Sequence, residues 1–294
     1  MATGGRAAPI PAGAAVARRR IGVGMVAQYG LLSALLLLAL YPIFLMVSMS
    51  LRPAPLIYVA LFALPSPPIL DNYRTALFDL VPALLRTLFV TATSIACILA
   101  LASPASYAFA RMRFLGRGVL FQGVLAMLMV PGVILLVPRF IEADQLGLRG
   151  SLWGLIVFYV AGGQPFAIFL LTTFFKSQSE EIFEAARVDG ASELRALLSI
   201  AMPLAMPILV TITVMDFLRI YDDFVWPSLM LPKTAHTLIL ALERYNPPIE
   251  EFISRPDLGA QTAGFVFATI PQLILFAFGM KYFIQGLTSG SVKA

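Results

Sequence analysis

Charge is what this sequence lacks most. Only 13% of its 294 residues are Asp, Glu, Lys or Arg, while 59% are hydrophobic. Soluble domains are about a quarter charged. A mean hydropathy of +0.86 agrees. These values exclude an ordinary water-soluble chain and make lipid its main solvent. Histidine and cysteine are nearly missing too, with His236 and Cys97 the single instance of each. One cysteine forms no internal disulfide. One histidine with no cysteine nearby gives no metal-ligand set. A Gly-x-x-x-x-Gly-Lys segment is absent, so the chain carries no phosphate-binding loop of that type for ATP. No nucleophile–base pair is readable, and the long apolar runs are almost bare of polar groups, which disfavours an enzyme embedded in the membrane.

Long apolar sequence is what the chain has in abundance. Six uncharged intervals stand out: Ile21–Leu51, Thr87–Ala110, Gly118–Pro138, Gly150–Phe175, Ala196–Met215 and Leu258–Met280. Each is about 20 residues or more, enough to cross a hydrocarbon core of ~30 Å as a helix. The expected fold class is therefore an all-α integral membrane protein of about six transmembrane helices. The spans are placed at 24–50, 87–110, 118–138, 151–175, 200–220 and 258–281, within one membrane domain covering 21–294. Residues 1–20, rich in Ala, Gly and Pro and ending in Arg18-Arg19-Arg20, read as a disordered basic tail. A further uncharged stretch, Pro53–Leu70, holds Pro53, Pro55, Pro65, Pro67 and Pro68. Proline breaks helices, so this stretch reads as a loop near the membrane surface.

The placement of Arg and Lys gives direction. Arg18, Arg19 and Arg20 precede the first span, Arg111, Arg113 and Arg117 crowd the short turn after the second, and Lys176 follows the fourth. Basic residues on the other side are spread over longer loops. Dense short clusters mark the cytoplasmic side, so both termini are expected there. Membrane headgroups and topology account for the net charge of +5, and nucleic acid is not an expected partner. Some spans contain helix breakers: Gly162-Gly163-Gln164-Pro165, Pro203, Pro207 and Pro271. Two readings stay open for them, ordinary kinks or breaks that line a gated pathway.

The segment between the fourth and fifth spans, residues 176–199, carries more information than any other. Ser177 and Glu180 have capping-box spacing, with Ser179 as an alternative N-cap. Glu180, Glu181 and Glu184 fall in the first turns, where the positive helix end favours them. Gly190 is a C-terminal stop, free to take positive φ. The pattern reads as a short helix, a Gly turn and a second helix starting near Ser192. Ala185 and Ala186 form a small face that another surface can approach closely. On residues alone, a docking element for a partner and a solvated surface helix both fit.

Glu184-Ala185-Ala186, then three residues to Gly190, nine more to Ile200, and Pro203, together resemble the EAA loop of binding-protein-dependent ABC importer permeases. Met202 stands where that family usually has Leu, and Gln178-Ser179 where it often has Ile-Pro. The resemblance spans most of the chain and is closest to the sugar-importer branch of maltose-permease type. Asn72-Tyr73, Tyr107 with Arg111, Leu146-Gly147-Leu148 and Gly286 to Lys293 are similar to its characteristic segments. Tyr221-Asp222-Asp223-Phe224 departs from its usual Trp-Asn-Asp/Glu-Phe at the first two positions. The resemblance implies a homologous second permease, two copies of a cytoplasmic ATP-binding subunit and an extracytoplasmic solute-binding protein as partners. ATP would be used by the partner subunits, with no cofactor bound by this chain. It implies that Glu184, Ala185, Ala186, Asp189, Gly190, Ile200 and Pro203 couple the ATPase to the spans.

Asp216, Arg219, Asp222 and Asp223 are read as a possible cluster at the outer mouth. Asp216 lies about 24 Å along a helix from Ile200, at ~1.5 Å per residue. Arg219 lies one turn on and can pair with any of the three acids. A carrier driven by protons or sodium would place carboxylates within the membrane, and Asp216 is its single candidate. The stretch Tyr221–Asp257 mixes charges with Trp226, Tyr245 and Phe252, a composition that suits a transient protein interface. A sugar or oligosaccharide is the expected solute, with glycerol phosphate or another polyol-like solute as the alternative.

Overall fold

A computed structural model describes residues 23–245, 248–249 and 252–289. The basic tail, and the C-terminal motif from Gly290 onward, lie outside the described residues. The chain divides into two units at Leu45–Met46. The first is the helix α1 (Val23–Ser50) as far as Leu45. Its large apolar side chains from Tyr29 to Phe44 are exposed all round, the surface of a helix solvated by lipid.

The second unit continues with α2 (Ala54–Val59), α3 (Asp71–Arg111), α4 (Arg117–Leu128), α5 (Leu136–Gln145) and α6 (Leu152–Ser177). Then come α7 (Glu180–Val188), α8 (Glu193–Ala196), a π turn Leu197–Ala201, α9 (Met202–Leu204) and α10 (Met206–Tyr221). The last elements are α11 (Val225–Met230), a 3₁₀ turn Lys233–Ala235, α12 (Leu238–Glu243), a two-stranded antiparallel ribbon of β1 (Pro248–Ile249) and β2 (Phe252–Pro256), and α13 (Leu258–Ser289).

Helices α3 and α6 pack side by side, and small residues make that possible. Ser94, Ala102 and Ser106 of α3 and Ala167 of α6 are fully buried. Lipid offers no hydrophobic force between helices, so close packing and interhelical hydrogen bonds must hold them. Ser106 Oγ accordingly donates to the Ile168 carbonyl of α6. The core here is Ile98, Leu155, Leu171, Phe175, Phe183 and Ile212. A second cluster joins α3, α10, α12 and α13 through Leu80, Tyr221, Leu238 and Ala263. Thr87 ties it together by accepting from the Leu238 N–H at 2.7 Å.

Several expected elements differ. The Pro53–Leu70 stretch contains the helix α2, because Pro55 falls in its first turn, where a missing N–H leaves nothing unpaired. The Arg52 guanidinium then binds the carbonyls of Leu56, Ala60 and Leu61 at its other end. The interval 118–138 is not one helix. It divides into α4 and α5 around Pro131-Gly132, and α4 alone, at ~1.5 Å per residue, is about 18 Å long. The interval 200–220 bends by 75° between Leu204 and Met206, where Pro203 and Pro207 withdraw backbone donors on either side of Ala205. Helix α3 starts at Asp71 rather than near 87, carrying Arg74, Asp79 and Arg86 in its N-terminal half. Among the described residues, four helices are long and apolar enough to cross a membrane, or five if the bent pair is one span, against the six expected. Gly162 to Pro165 and Pro271 do not interrupt α6 or α13.

Candidate functional site

The loop between α6 and α10 is built on the nine-residue helix α7. Its C-terminal end is a Schellman motif. Gly190 has φ +77°, its N–H donates to the Arg187 carbonyl, and the Ala191 N–H donates to the Ala186 carbonyl at 2.9 Å. Ser192 then caps α8, accepting from the Arg195 N–H. The N-terminal end differs from expectation. Ser179 takes the cap position but makes no capping bond, and Ser177 donates to the Phe174 carbonyl instead. Glu180 turns away from a capping box and accepts from Arg111 and Arg187.

Arg111, the last residue of α3, holds this loop. Its side chain is buried, and its Nη2 donates to the carbonyls of Phe175 and Gln178, both at 2.6 Å. These carbonyls lie at the end of α6, where a cation is favoured, and that of Phe175 also accepts from the Gln178 N–H. Nη1 binds Glu180, and the guanidinium lies 4.2 Å above the ring of Phe183. Phe183 is fully buried against Tyr107. Tyr107 donates to Glu193 at 2.8 Å, and Arg187 reaches both Glu180 and Glu193. Burial raises the Glu180 pKa, but the hydrogen bonds from Arg187 and Arg111 outweigh it and hold the carboxyl below its ordinary value. Arg111, Met112, Arg113, Glu184 and these partners enclose a polar hollow of about 370 Å³.

The predicted loop residues take distinct positions. Glu184, Ala185, Asp189 and Gly190 are exposed, while Ala186 faces inward beside the buried Phe183. The two alanines therefore do not share one open face. Ile200 is half-buried on the π turn, and Pro203 is exposed in α9. The anchors Arg111, Tyr107, Phe183 and Glu193 were missed as loop contacts. Arg111 was legible only as part of a basic cluster and a Tyr-x-x-x-Arg ending.

Asp216, Arg219, Asp222 and Asp223 divide into separate contacts. Arg219 binds Asp216 Oδ1 through Nε at 3.0 Å and Nη2 at 2.7 Å. Asp222 instead accepts from Gln272 of α13 at 2.6 Å. Asp223 accepts from Tyr159 of α6 at 2.8 Å and from the Val225 and Trp226 N–H groups that open α11. Two adjoining cavities of about 330 and 510 Å³ lie here, sharing Gly132, Arg139 and Arg219 in their walls.

Comparison with known proteins gives consistent matches. The family model for the binding-protein-dependent transport system inner membrane component matches residues 10–289. The multiple sugar-binding transport system permease protein MsmG of Streptococcus mutans is 28% identical over 90% of this chain and 96% of its own. The trehalose transport system permease protein SugB of Mycobacterium tuberculosis is 30% identical over 87% of this chain and 93% of its own. Among solved structures, a chain of a bacterial ABC transporter involved in the import of the acidic polysaccharide alginate superposes with a TM-score of 0.79. It shares 26% identity over 90% of this chain and 98% of that one. With the match covering nearly all its residues, this chain belongs to the family of binding-protein-dependent transport system inner membrane components.

Proposed function

We propose that this chain is one permease subunit of an ATP-driven importer for a sugar or oligosaccharide, forming half of the translocation pathway and receiving a partner ATPase on loop 176–199. The observation that carries the reading is the braced loop. Phe183 and Ala186 are buried, Arg111 clamps the base, and Glu184, Ala185 and Val188 project outward on a rigid nine-residue helix. A solvated helix needs no such buttress. A helix that transmits force does, because slack would absorb the displacement.

On this reading Glu184, Ala185 and Asp189 meet the ATPase, and Gly190 fixes the angle at which the chain turns toward Ile200 and Pro203. ATP binds and is hydrolysed on two partner subunits, while an extracytoplasmic binding protein delivers the solute. A homologous second permease supplies the other half of the path, and the two rock between inward-open and outward-open states. The bend at Ala205 and the break at Pro131-Gly132 are the flexible joints this motion uses. MsmG and SugB, named for sugar transport, support the solute class.

The arginines at 111, 113 and 117 support a cytoplasmic position for the loop and both termini. The test is single-cysteine labelling with an impermeant reagent in a Cys97→Ser background. Ser66 should label from outside, and Gly116 should label only after permeabilisation. Labelling of Gly116 from outside would reverse the orientation. Uptake by the reconstituted complex tests the function itself, and transport that persists without ATP would refute it.

A further inference from the structure

The pair Gly162-Gly163 does not break α6 but lies against side chains of three other helices. A Cβ at Gly162 would lie 3.6 Å from Arg139 Nη2, 3.7 Å from Nη1 and 4.0 Å from Cζ, so this guanidinium rests on the bare helix backbone. A Cβ at Gly163 would lie 3.2 Å from Arg219 Nη2 and 2.5 Å from Ile98 Cδ1. Arg139 of α5 thus lies in ordinary contact range of Gly162, while Ile98 of α3 and then Arg219 of α10 crowd Gly163, where a Cβ would not fit. Both arginines line both adjoining cavities, and Phe158, Tyr159 and Trp226 line the smaller one.

The hydrogen-bonding groups offered there are mostly donors. Among the described residues Arg139 makes no side-chain hydrogen bond or ion pair, which leaves its five N–H groups without a partner there. The acceptors are already engaged or turned away. Asp216 is buried and lines neither cavity; its Oδ1 is held by Arg219, and its Oδ2 is sealed inside with no partner among the described residues. Asp223 lines the smaller cavity, but one oxygen accepts from Tyr159 and the other from two backbone N–H groups. A neutral sugar hydroxyl needs acceptors as well as donors. An oxyanion needs donors alone, and the planar guanidinium fork matches a carboxylate in bidentate fashion. The aromatic wall suits the apolar face of a sugar ring.

We infer that the space framed by Arg139, Arg219, Tyr159 and Trp226 is a solute subsite for a saccharide carrying carboxylate groups. The inference rests on the importer reading and narrows its solute class. An anionic lipid headgroup offers the same oxyanion chemistry without the ring.

The experiment uses the complete importer in phosphatidylcholine nanodiscs and measures equilibrium binding of tritiated trigalacturonate and maltotriose. Trigalacturonate should bind at least tenfold more tightly, with affinity falling as salt rises. Arg139→Gln should weaken trigalacturonate roughly ten- to hundredfold, the range for a lost charged hydrogen-bonding partner, and weaken maltotriose far less. Arg139→Lys, which keeps the charge but loses the fork, should fall between. Equal binding of the two probes, or no effect of Arg139→Gln, would overturn the inference. So would displacement of trigalacturonate by phosphatidylglycerol added to the discs, which would assign the arginines to lipid. ATP hydrolysis stimulated by the binding protein, measured on the same discs, reports separately on the importer reading.

Discussion

Arg111 and Glu180 stand 69 residues apart in sequence and form an ion pair that joins the end of α3 to the start of α7. The two partners are unequal. Arg111 is buried, with its side chain 5% exposed, while that of Glu180 is 52% exposed. An exposed pair contributes little, whereas a buried guanidinium on two helix-end carbonyls contributes more.

Substitutions should therefore separate the two roles. Arg111→Ala removes the donor of the Gln178 carbonyl and leaves that of Phe175 only the weaker bond from the Gln178 N–H, and should cost roughly 1–3 kcal/mol. Glu180→Gln should cost under about 1 kcal/mol. Thermal melting of the solubilised complex compares them, and protease cleavage within 178–192 reports detachment of the loop. Equal effects would place the bond energy in the ion pair rather than in the carbonyl contacts.

Gly190 is open to solvent, and a Cβ there meets nothing within 4 Å, so any cost of substitution is conformational. At φ +77° an L-residue pays about 1–2 kcal/mol, and a β-branched one more. Gly190→Ala should keep partial uptake and Gly190→Val should lose most of it, with normal amounts of both in the membrane. Full uptake by Gly190→Val, together with full solute-stimulated ATP hydrolysis, would remove the turn from the coupling mechanism.

The neighbouring alanines should fail in different ways. Ala186 is 9% exposed beside the fully buried Phe183. Trp at 186 overfills that contact and should make α7 protease-sensitive. Trp at 185 sits on the exposed side, so α7 should stay intact while the ATPase no longer copurifies. If both variants retain the ATPase, the docking surface lies elsewhere.

Acid should loosen the loop in a defined direction. The Glu180 carboxyl is held below its ordinary value, so its contribution is present above about pH 4.3 and is lost as pH falls through its lowered folded value. Hydrogen exchange in α7, corrected for intrinsic rates, should be flat from pH 7 to 5 and rise only in more acid solution. In Glu180→Gln that acid-dependent rise should shrink. Loosening already near pH 6 would point to another group.

The sequence alone determined the solvent and the class. Uncharged runs of membrane length need no tertiary information, because a chain this apolar and this poor in charge has few stable places outside lipid. The loop helix and its glycine stop were likewise legible, since Glu184-Ala185-Ala186 and Gly190 encode local backbone preferences. Tertiary structure decided the partners. Arg111 reads as a topology signal until α6 ends beside it, and only then does it find the carbonyls of Phe175 and Gln178. Ala185 and Ala186 are alike in sequence and are separated only by which side of α7 Phe183 buries. Gly162-Gly163 reads as a helix breaker, yet α6 continues through it, and the space beside Gly163 is taken by Ile98 and Arg219. Sequence spacing records what a backbone prefers locally. It does not record which distant side chain occupies the space a glycine leaves open.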